Sequence, residues 1–551
     1  MLLKKRTAAV VLAAVVTGAA AGLVLSNRVQ AESTDDSLYT QLRLFNRVLE
    51  LVQQNYVDEV DPKPLIQGAI TGMLEKLDPH STYVDADRFQ RMNERNQGEY
   101  YGIGVSFDIR DGYITIISPI ENSPSDRLGI RAGDKIIKID GSSAKGISQD
   151  EVFDKLRGPR GTKVHVTIAR PGVDTLLEFD IVREKIPIFS VPYKFMLDAT
   201  TGYVRATRFS ATTSQELEAA VDSLEKLGMK RLVFDLRGNS GGYLNQAIEV
   251  SDKFLGGGKV VVYTKGRIPD SSQYYYSTDN DEHPNFPLIV LVDHGSASAS
   301  EIVSGAIQDH DRGLVIGMTT FGKGLVQRQY TLRDGSALLL TVAHYFTPSG
   351  RLIQRPYGDR DEYATDEAIE AAEKTTEQET KDLGKGDKKL DVFKTAKGRT
   401  VFGGGGITPD IKIAYTRKFT DLQAKLEREQ IFGDVASKLA NSKGMKKSDD
   451  FETFLKSWQA GDDLVSQVRT VAEARTMADG KKITAKDEEW KTETGYIRQA
   501  LKREVARTVW GDEQRYRVAI QDDEMMSQAI THFPEAVLMA KNNEGATPAQ
   551  R

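Results

Sequence analysis

The 551-residue chain contains no cysteine. That excludes disulfides, thiol nucleophiles and thiolate metal centres, and it leaves the chain nothing to lose in an oxidising compartment. Tryptophan is scarce: the three present, Trp458, Trp490 and Trp510, all lie in the last fifth of the chain. Excess charge of one sign is also missing. The net charge is −5 at pH 7, so nucleic acid is not an expected partner. No GK[ST] follows any glycine-rich turn and no dinucleotide fingerprint is present, which leaves no basis for a nucleotide cofactor. Apolar runs of membrane-spanning length are absent except at the N-terminus. With 39% hydrophobic and 28% charged residues, the rest is ordinary for a soluble globular chain, and the length suggests roughly three or four domains.

At the N-terminus Lys4, Lys5 and Arg6 precede an apolar run from Thr7 to Leu25, and Val29-Gln30-Ala31 offers a small-residue cleavage site. This is the pattern of a secretory signal over residues 1–31. The run is also long enough to stay as an anchor, so membrane association through residues 7–25 is the alternative. Together with the missing cysteines it leads us to expect a bacterial cell-envelope location, periplasmic or secreted.

The chain is organised around residues 287–327. Pro287 to Asp293 is an apolar run of strand length, and Gly295 to Ala299 is a turn of small residues. Ile302, Val303, Ala306 and Ile307 then recur at the spacing of one helix face. Gly313 to Met318 is a second apolar run, closed by Phe321-Gly322-Lys323-Gly324. A serine at such a strand-to-helix turn meets unpaired N–H groups and the positive end of a helix dipole. Four serines are available: Ser296, Ser298, Ser300 and Ser304. On spacing alone, Ser298-x-x-Glu301 reads first as a helix capping box, with Ser298 as the cap. A nucleophile needs a base, and Lys323 is the candidate if burial lowers its pKa from the ordinary value of ~10.4. A solvated loop lysine is the plain alternative.

GSASASEI followed by FGKGLVQ resembles the carboxyl-terminal processing, or tail-specific, proteases, and the resemblance extends from about Asp36 to Asp410. It implies that Ser298 is the nucleophile, that Lys323 is the base, and that Gln327 orients the lysine. It implies no metal and no cofactor. It also gives a role to the loop Arg237-Gly238-Asn239-Ser240-Gly241-Gly242, which on its own reads as a strand–helix turn. There the N–H of Gly241, with Gly242 as second choice, would join that of Ala299 in an oxyanion hole, where losing one donor typically costs ~3–4 kcal/mol.

The expected fold is α/β and multidomain, with strands alternating with helices in a layered, crotonase- or ClpP-like protease core. A signal peptide (1–31) and an N-terminal helical segment (32–95) lead to a PDZ domain (96–185). The protease core (186–415) carries a charged insertion (359–400), expected to be loosely helical or mobile, and a C-terminal helical accessory domain follows (416–551), useful for homo-oligomerisation or substrate control. In the PDZ-like unit, Gly102-Ile103-Gly104-Val105 resembles a carboxylate-binding loop at the start of an edge strand, where glycines let backbone N–H groups converge on an anion. Arg157, on the turn after the PDZ helix, is either a solvated residue or a contact that couples the PDZ domain to catalysis. Arg267 to Phe286 reads as a tyrosine-rich polar loop. Leu325–Thr331 and Ala337–Phe346 read as a hairpin turned by Asp334-Gly335.

These features describe a serine endopeptidase whose partners are polypeptides with free, unstructured C-termini. Three rivals remain open at this level. His294, His310 and His344 lie close enough in sequence for a serine–histidine–acid triad. A non-catalytic PDZ-containing adaptor on the same fold is a second. A hydratase-like enzyme on a related layered fold is the third.

Overall fold

The computed structural model describes residues 38–110, 112–279, 283, 286–357, 363, 365, 391–414, 419–477 and 480–544. The chain divides into two compact units, residues 1–77 and 78–551. The expected signal segment lies outside the described residues. Among the described residues no helix is long and apolar enough to cross a membrane.

In the first unit two helices are described, Leu38–Asn55 and Pro62–Glu75. Asp61 caps the second by accepting the Lys63 N–H at 2.9 Å, and proline at the first helical position suits a place where no N–H is needed. Leu38, Leu42, Phe45 and Val48 of the first helix are exposed.

The second unit is built on a six-stranded sheet. Its strands are β1 (Tyr193–Met196), β2 (Thr201–Arg205), β3 (Arg231–Asp235), β4 (Leu288–Val292), β5 (Leu314–Gly317) and β6 (Ile411–Lys412), side by side in that order. β1 runs antiparallel to β2, and the remaining neighbours are parallel. The connections carry α1 (Thr213–Lys226), α2 (Leu244–Asp252) and α3 (Ala299–Asp309). All five residues of β4, Leu-Ile-Val-Leu-Val, are buried. A strand covered on both faces reads as a continuous apolar run, which is why this stretch stands out in the sequence. Alternate residues face different layers: Leu288, Val290 and Val292 pack with Leu217 of α1, Val250 of α2 and Val303 of α3. Ile289 and Leu291 face the other way, onto Ile520, Met525, Met526 and Phe533.

That second covering is supplied by the end of the helical C-terminal region. Residues 421–510 form helices with cores of their own, around Trp490 and around Trp510. Val518 of the helix Asp512–Ala519 still packs into the Trp510 core, and the segments from Ile520 onward lie on the protease sheet and cover its second face. Helical periodicity reports an apolar stripe but not which surface the stripe covers.

A second sheet of five strands contains Thr82–Val84, Ala337–Phe346, Val260–Gly266 and Tyr274–Tyr276, with Leu325–Thr331 paired to Ala337–Phe346. The expected hairpin is present, with Gly335 at φ 83° in its turn. Tyr274–Tyr276, expected in a loop, pairs with Val260–Tyr263, and Tyr274 stacks on Tyr263 at 4.7 Å. Of the charged insertion, Tyr363, Thr365 and residues 391–400 are described. Its end is a strand rather than a loose helix: Val392–Lys394 pairs antiparallel with Thr400–Phe402. Asp311 holds this hairpin by accepting the Lys397 N–H at 2.7 Å.

The expected PDZ-like region forms its own sheet: Val105–Arg110, Tyr113–Pro119, Lys135–Ile139, Lys163–Ala169 and Leu177–Val182, with Val105–Arg110 at the edge. Ile114, Ile136, Val152, Val164 and Val166 fill its core. Helix Gln149–Leu156 starts at a capping box formed by Ser148 and Glu151.

Candidate active site

The loop after β4 brings the small-residue turn to the N-terminus of α3, with Ser298 as the residue before the first helical position. Ser298 has φ 55° and ψ −112°, a conformation that costs a non-glycine residue about 1–3 kcal/mol and persists only where its surroundings impose it. The surroundings are visible. The Ser298 N–H donates to Glu301 Oε2 at 2.8 Å, and the Ser298 carbonyl accepts the N–H groups of Glu301 and Ile302 and the hydroxyl of Tyr345.

The four serines separate cleanly here. Ser296 Oγ donates to Leu236 O at 2.8 Å, Ser300 Oγ to Asn239 O at 2.7 Å, and Ser304 Oγ to Ser300 O at 2.8 Å. All three are fully buried. Ser298 is partly exposed, and its side chain makes no hydrogen bond to cap the helix. The capping role anticipated for this hydroxyl is therefore not taken up. The helix is capped from the other side, by the Glu301 carboxylate.

Lys323 precedes the strand that carries Gln327. Its Nζ donates to Gln327 Oε1 at 2.9 Å, and Gln327 Nε2 donates to the carbonyl of His80. The second contact determines which end of the amide faces the lysine. The His80 carbonyl is itself held in a turn, because Asp78 accepts the His80 N–H at 2.8 Å and the Ser81 hydroxyl at 2.6 Å. The word Asp78-Pro79-His80-Ser81 thus supplies a support for the lysine that its sequence position, far from Gln327, did not disclose. Burial lowers the Lys323 pKa from the ordinary lysine value, opposed by the charges of Glu301 and Asp78. A depressed pKa raises the fraction of neutral amine, the form that accepts a proton. No hydrogen bond joins Lys323 Nζ to Ser298 Oγ in this structure.

Glu301 is the residue that sequence reasoning undervalued. It is fully buried and receives four hydrogen bonds. The Thr320 hydroxyl and the Gly322 N–H donate to Oε1 at 2.5 and 2.7 Å, and the N–H groups of Ser298 and Lys323 donate to Oε2 at 2.8 and 2.9 Å. Burial pushes its pKa up to about 7, against the pull of those donors. The signal for it was the capping-box spacing. Its reach to Lys323 needed the fold.

The loop from Arg237 to Gly242 lies against Ser298. A Cβ on Gly241 would sit 2.9 Å from Ser298 Cβ and 3.0 Å from the Ala299 nitrogen, so only glycine fits there. The Gly241 N–H, however, donates to Asn239 Oδ1 at 2.9 Å, so it is occupied rather than free. Among the described residues the N–H groups of Ala299 and Gly242 have no acceptor. Of the histidines weighed as triad members, His294 pairs with the Thr319 carbonyl and His310 with the Val260 carbonyl. None of His294, His310 and His344 hydrogen-bonds Ser298.

In the PDZ-like unit Gly104 has φ 77°, and a Cβ there would fall 2.2 Å from Ser123 Cβ. Its carbonyl accepts the Ile120 N–H and the Ser123 hydroxyl, both at 2.9 Å. The N–H group of Gly104, which is buried, has no acceptor among the described residues, whereas Gly102 forms an antiparallel bridge with Arg157 that sets Ile103 against Leu156. Val105 then starts the edge strand, and Phe107 on it meets Phe153 of the adjacent helix edge-on at 5.5 Å. Arg157 is not a solvated loop residue. It ion-pairs with Glu94 and lies over the rings of Tyr100 and Phe153, 4.4 Å from each centroid. Glu94 belongs to the helix Ala86–Gln97, whose Asn96 carbonyl accepts the Ala211 N–H, and the nearby Phe209 N–H donates to the Gly241 carbonyl.

Three family models match: peptidase family S41 over residues 200–362, the PDZ domain over 90–169, and the N-terminal domain of the activating protease CtpB over 14–88. The carboxy-terminal-processing protease of Bartonella bacilliformis is 40% identical over 61% of this chain and 77% of its own length. The carboxy-terminal processing protease CtpA of Bacillus subtilis is 38% identical over 59% of this chain and 69% of its own. Among solved structures, a photosystem II D1 C-terminal processing protease is 29% identical, covers 57% of this chain and 90% of that one, and superposes with a TM-score of 0.33. With an S41 protease domain, an inserted PDZ domain, an N-terminal segment and a helical C-terminal region, the chain belongs to the carboxy-terminal processing proteases, serine-type peptidases of family S41.

Proposed function

We propose that this protein is an endopeptidase that reads the free C-terminus of a polypeptide through its PDZ domain and cleaves with a Ser298–Lys323 dyad. One observation carries the assignment of the nucleophile. Of the four serine hydroxyls around the turn, only that of Ser298 is not spent on a main-chain carbonyl. It sits at a helix N-terminus, close to a lysine whose pKa is depressed.

In the reaction Ser298 Oγ attacks the scissile carbonyl carbon, and its proton passes to neutral Lys323 Nζ. Lys323 then gives that proton to the departing amine, and an acyl-enzyme remains. Water, deprotonated by the same lysine, hydrolyses the ester and returns the proton to Ser298. Gln327 holds the amine in place, with its own amide fixed by the His80 carbonyl. The Ala299 N–H is one oxyanion donor. The second comes from Gly241 or Gly242. Gly242 already has a free N–H, and Gly241 gains one if Asn239 releases it. The hydrogen bond between Ser298 and Lys323 forms as substrate seats, since catalytic contacts often tighten only in the bound complex.

The substrate carboxylate is held by backbone N–H groups of the Gly102–Val105 loop, where that of Gly104 has no acceptor among the described residues. The last residues of the substrate add a strand to the Val105–Arg110 edge. Arg157 links this site through Glu94 to the helix that touches the Phe209–Gly241 segment. The signal-like pattern of residues 1–31 in the sequence supports a bacterial envelope location, periplasmic or secreted, or anchored through residues 7–25. Homo-oligomerisation belongs to the same reading. The test is cleavage of one unstructured polypeptide with a free or an amidated C-terminus, at equal sub-saturating concentration. The free form is expected to be cut faster, and Ser298→Ala to cut neither. Equal rates for the two forms would remove carboxylate reading from the function, and a fully active Ser298→Ala would remove the dyad.

A further inference from the structure

On α1, Asp222 and Glu225 are three residues apart and face His283 in the segment that leads into β4. The imidazole is buried, with its side chain 4% exposed, whereas both carboxylates reach solvent. Its main chain is pinned on both sides: the His283 N–H donates to the Lys253 carbonyl at 3.2 Å, and Arg312 Nη2 donates to the His283 carbonyl at 3.3 Å. The ring therefore has little freedom to turn away.

The two ring nitrogens are used unequally. Nδ1 lies 3.2 Å from Glu225 Oε1 and can donate to it. Nε2 is buried with no hydrogen-bond partner among the described residues, and it faces Asp222 Oδ1 at 3.7 Å. With the proton on Nδ1, the Nε2 lone pair points at a carboxylate oxygen that also has only lone pairs to offer. Something positive belongs between them. The potential ligand atoms of all three side chains lie within 4.8 Å of one another.

We propose that Asp222, Glu225 and His283 form a site for a divalent transition-metal ion, with zinc as the best match. Imidazole nitrogen with carboxylate oxygen suits such an ion rather than calcium or magnesium. Zn–N and Zn–O bonds of about 2.0–2.2 Å set two tetrahedral ligands about 3.4 Å apart, and the 3.7 Å between Nε2 and Asp222 Oδ1 is close to that. His283 Nε2 and Asp222 are the direct ligands. Glu225 accepts the Nδ1 proton and so sets the tautomer and the ring angle, the usual arrangement around a metal-bound histidine. Water completes the shell from the exposed side. The nearby Lys253 ammonium is engaged with Glu218 at 2.6 Å. None of the three residues touches Ser298, Lys323 or Gln327, so the ion takes no part in peptide hydrolysis. It ties the entry of β4 to α1.

The test uses the full chain without a polyhistidine tag, titrated with Zn2+ by calorimetry and with Co2+ by visible absorption. One Zn2+ per chain and a Co2+ spectrum of nitrogen–oxygen ligation are expected. His283→Gln and Asp222→Asn should each weaken binding at least tenfold, and Glu225→Gln by less. Asp222 is exposed, so Asp222→Asn leaves the fold intact and remains informative if His283→Gln misfolds. No binding by the wild type would overturn the proposal and leave an imidazole paired only with carboxylates. Binding unchanged in Asp222→Asn and His283→Gln would place any ion elsewhere and overturn it equally.

Discussion

The backbone N–H groups of Ser298 and Lys323 both donate to one carboxylate oxygen, Glu301 Oε2, at 2.8 and 2.9 Å. One buried side chain thus fixes the strand-to-helix turn that carries the serine and the glycine-flanked turn that carries the lysine. The separation of nucleophile and base depends on a residue that would touch neither the substrate nor the transferred proton.

Glu301→Gln keeps the shape but leaves one oxygen where four donors converge, so at least one N–H faces an NH2 group. Unsatisfied buried donors cost about 1–3 kcal/mol each. Stability should fall by that order, and kcat should drop by about 10–100-fold with little change in KM. Peptide kinetics on the folded variant checks the split, and a KM-dominated loss would show that the clamp serves binding.

The same residue gives a pH signature. Its pKa is raised from 4.5 to about 7 on folding, so between those values the native state holds more proton than the unfolded chain. Stability is therefore greatest below pH 4.5 and is lost as pH rises to about 7. Denaturant midpoints measured from pH 4.5 to 8 should fall across that window in the wild type and flatten in Glu301→Gln.

Ser298→Ala should abolish hydrolysis while leaving the denaturation midpoint nearly unchanged, because this hydroxyl makes no cap bond. Ser296→Ala and Ser300→Ala should behave oppositely. Each removes a buried hydrogen bond to the Leu236 or Asn239 carbonyl, costing about 1–3 kcal/mol, yet each should still hydrolyse peptides. Full activity in Ser298→Ala would remove it as the nucleophile.

Activity should rise with pH through the lowered pKa of Lys323, since only the neutral amine accepts the serine proton. Lys323→Arg should be inactive at every pH, because a guanidinium does not deprotonate in proteins. Turnover by Lys323→Arg would point to another base.

Arg157→Ala removes the ion pair to Glu94 and the cover over Tyr100 and Phe153. Turnover should fall more than the affinity for a C-terminal peptide, measured by fluorescence anisotropy on the Ser298→Ala background. Equal losses in both would mean that Arg157 only shapes the PDZ domain.

Local order along the chain was enough to read the strand, small-residue turn and helix around Ser298, and the Asp334-Gly335 hairpin. Each depends on hydrogen bonds between near neighbours or on the burial of a continuous apolar run. The spacing from Ser298 to Lys323 and Gln327 was legible through family resemblance, not through physics alone. What only the tertiary structure decided lies in contacts between distant segments. Ser300 gives its hydroxyl to Asn239, 61 residues away, and Ser296 to Leu236, 60 away, which leaves Ser298 alone with an uncommitted hydroxyl. Gly241 turns its N–H to Asn239, Gln327 is oriented by His80 across 247 residues, and the segments from Ile520 onward cover a sheet face. A side chain's type and spacing limit which bonds it can make. Which bond it makes depends on what the fold brings beside it, because a buried polar group must take the partner within reach.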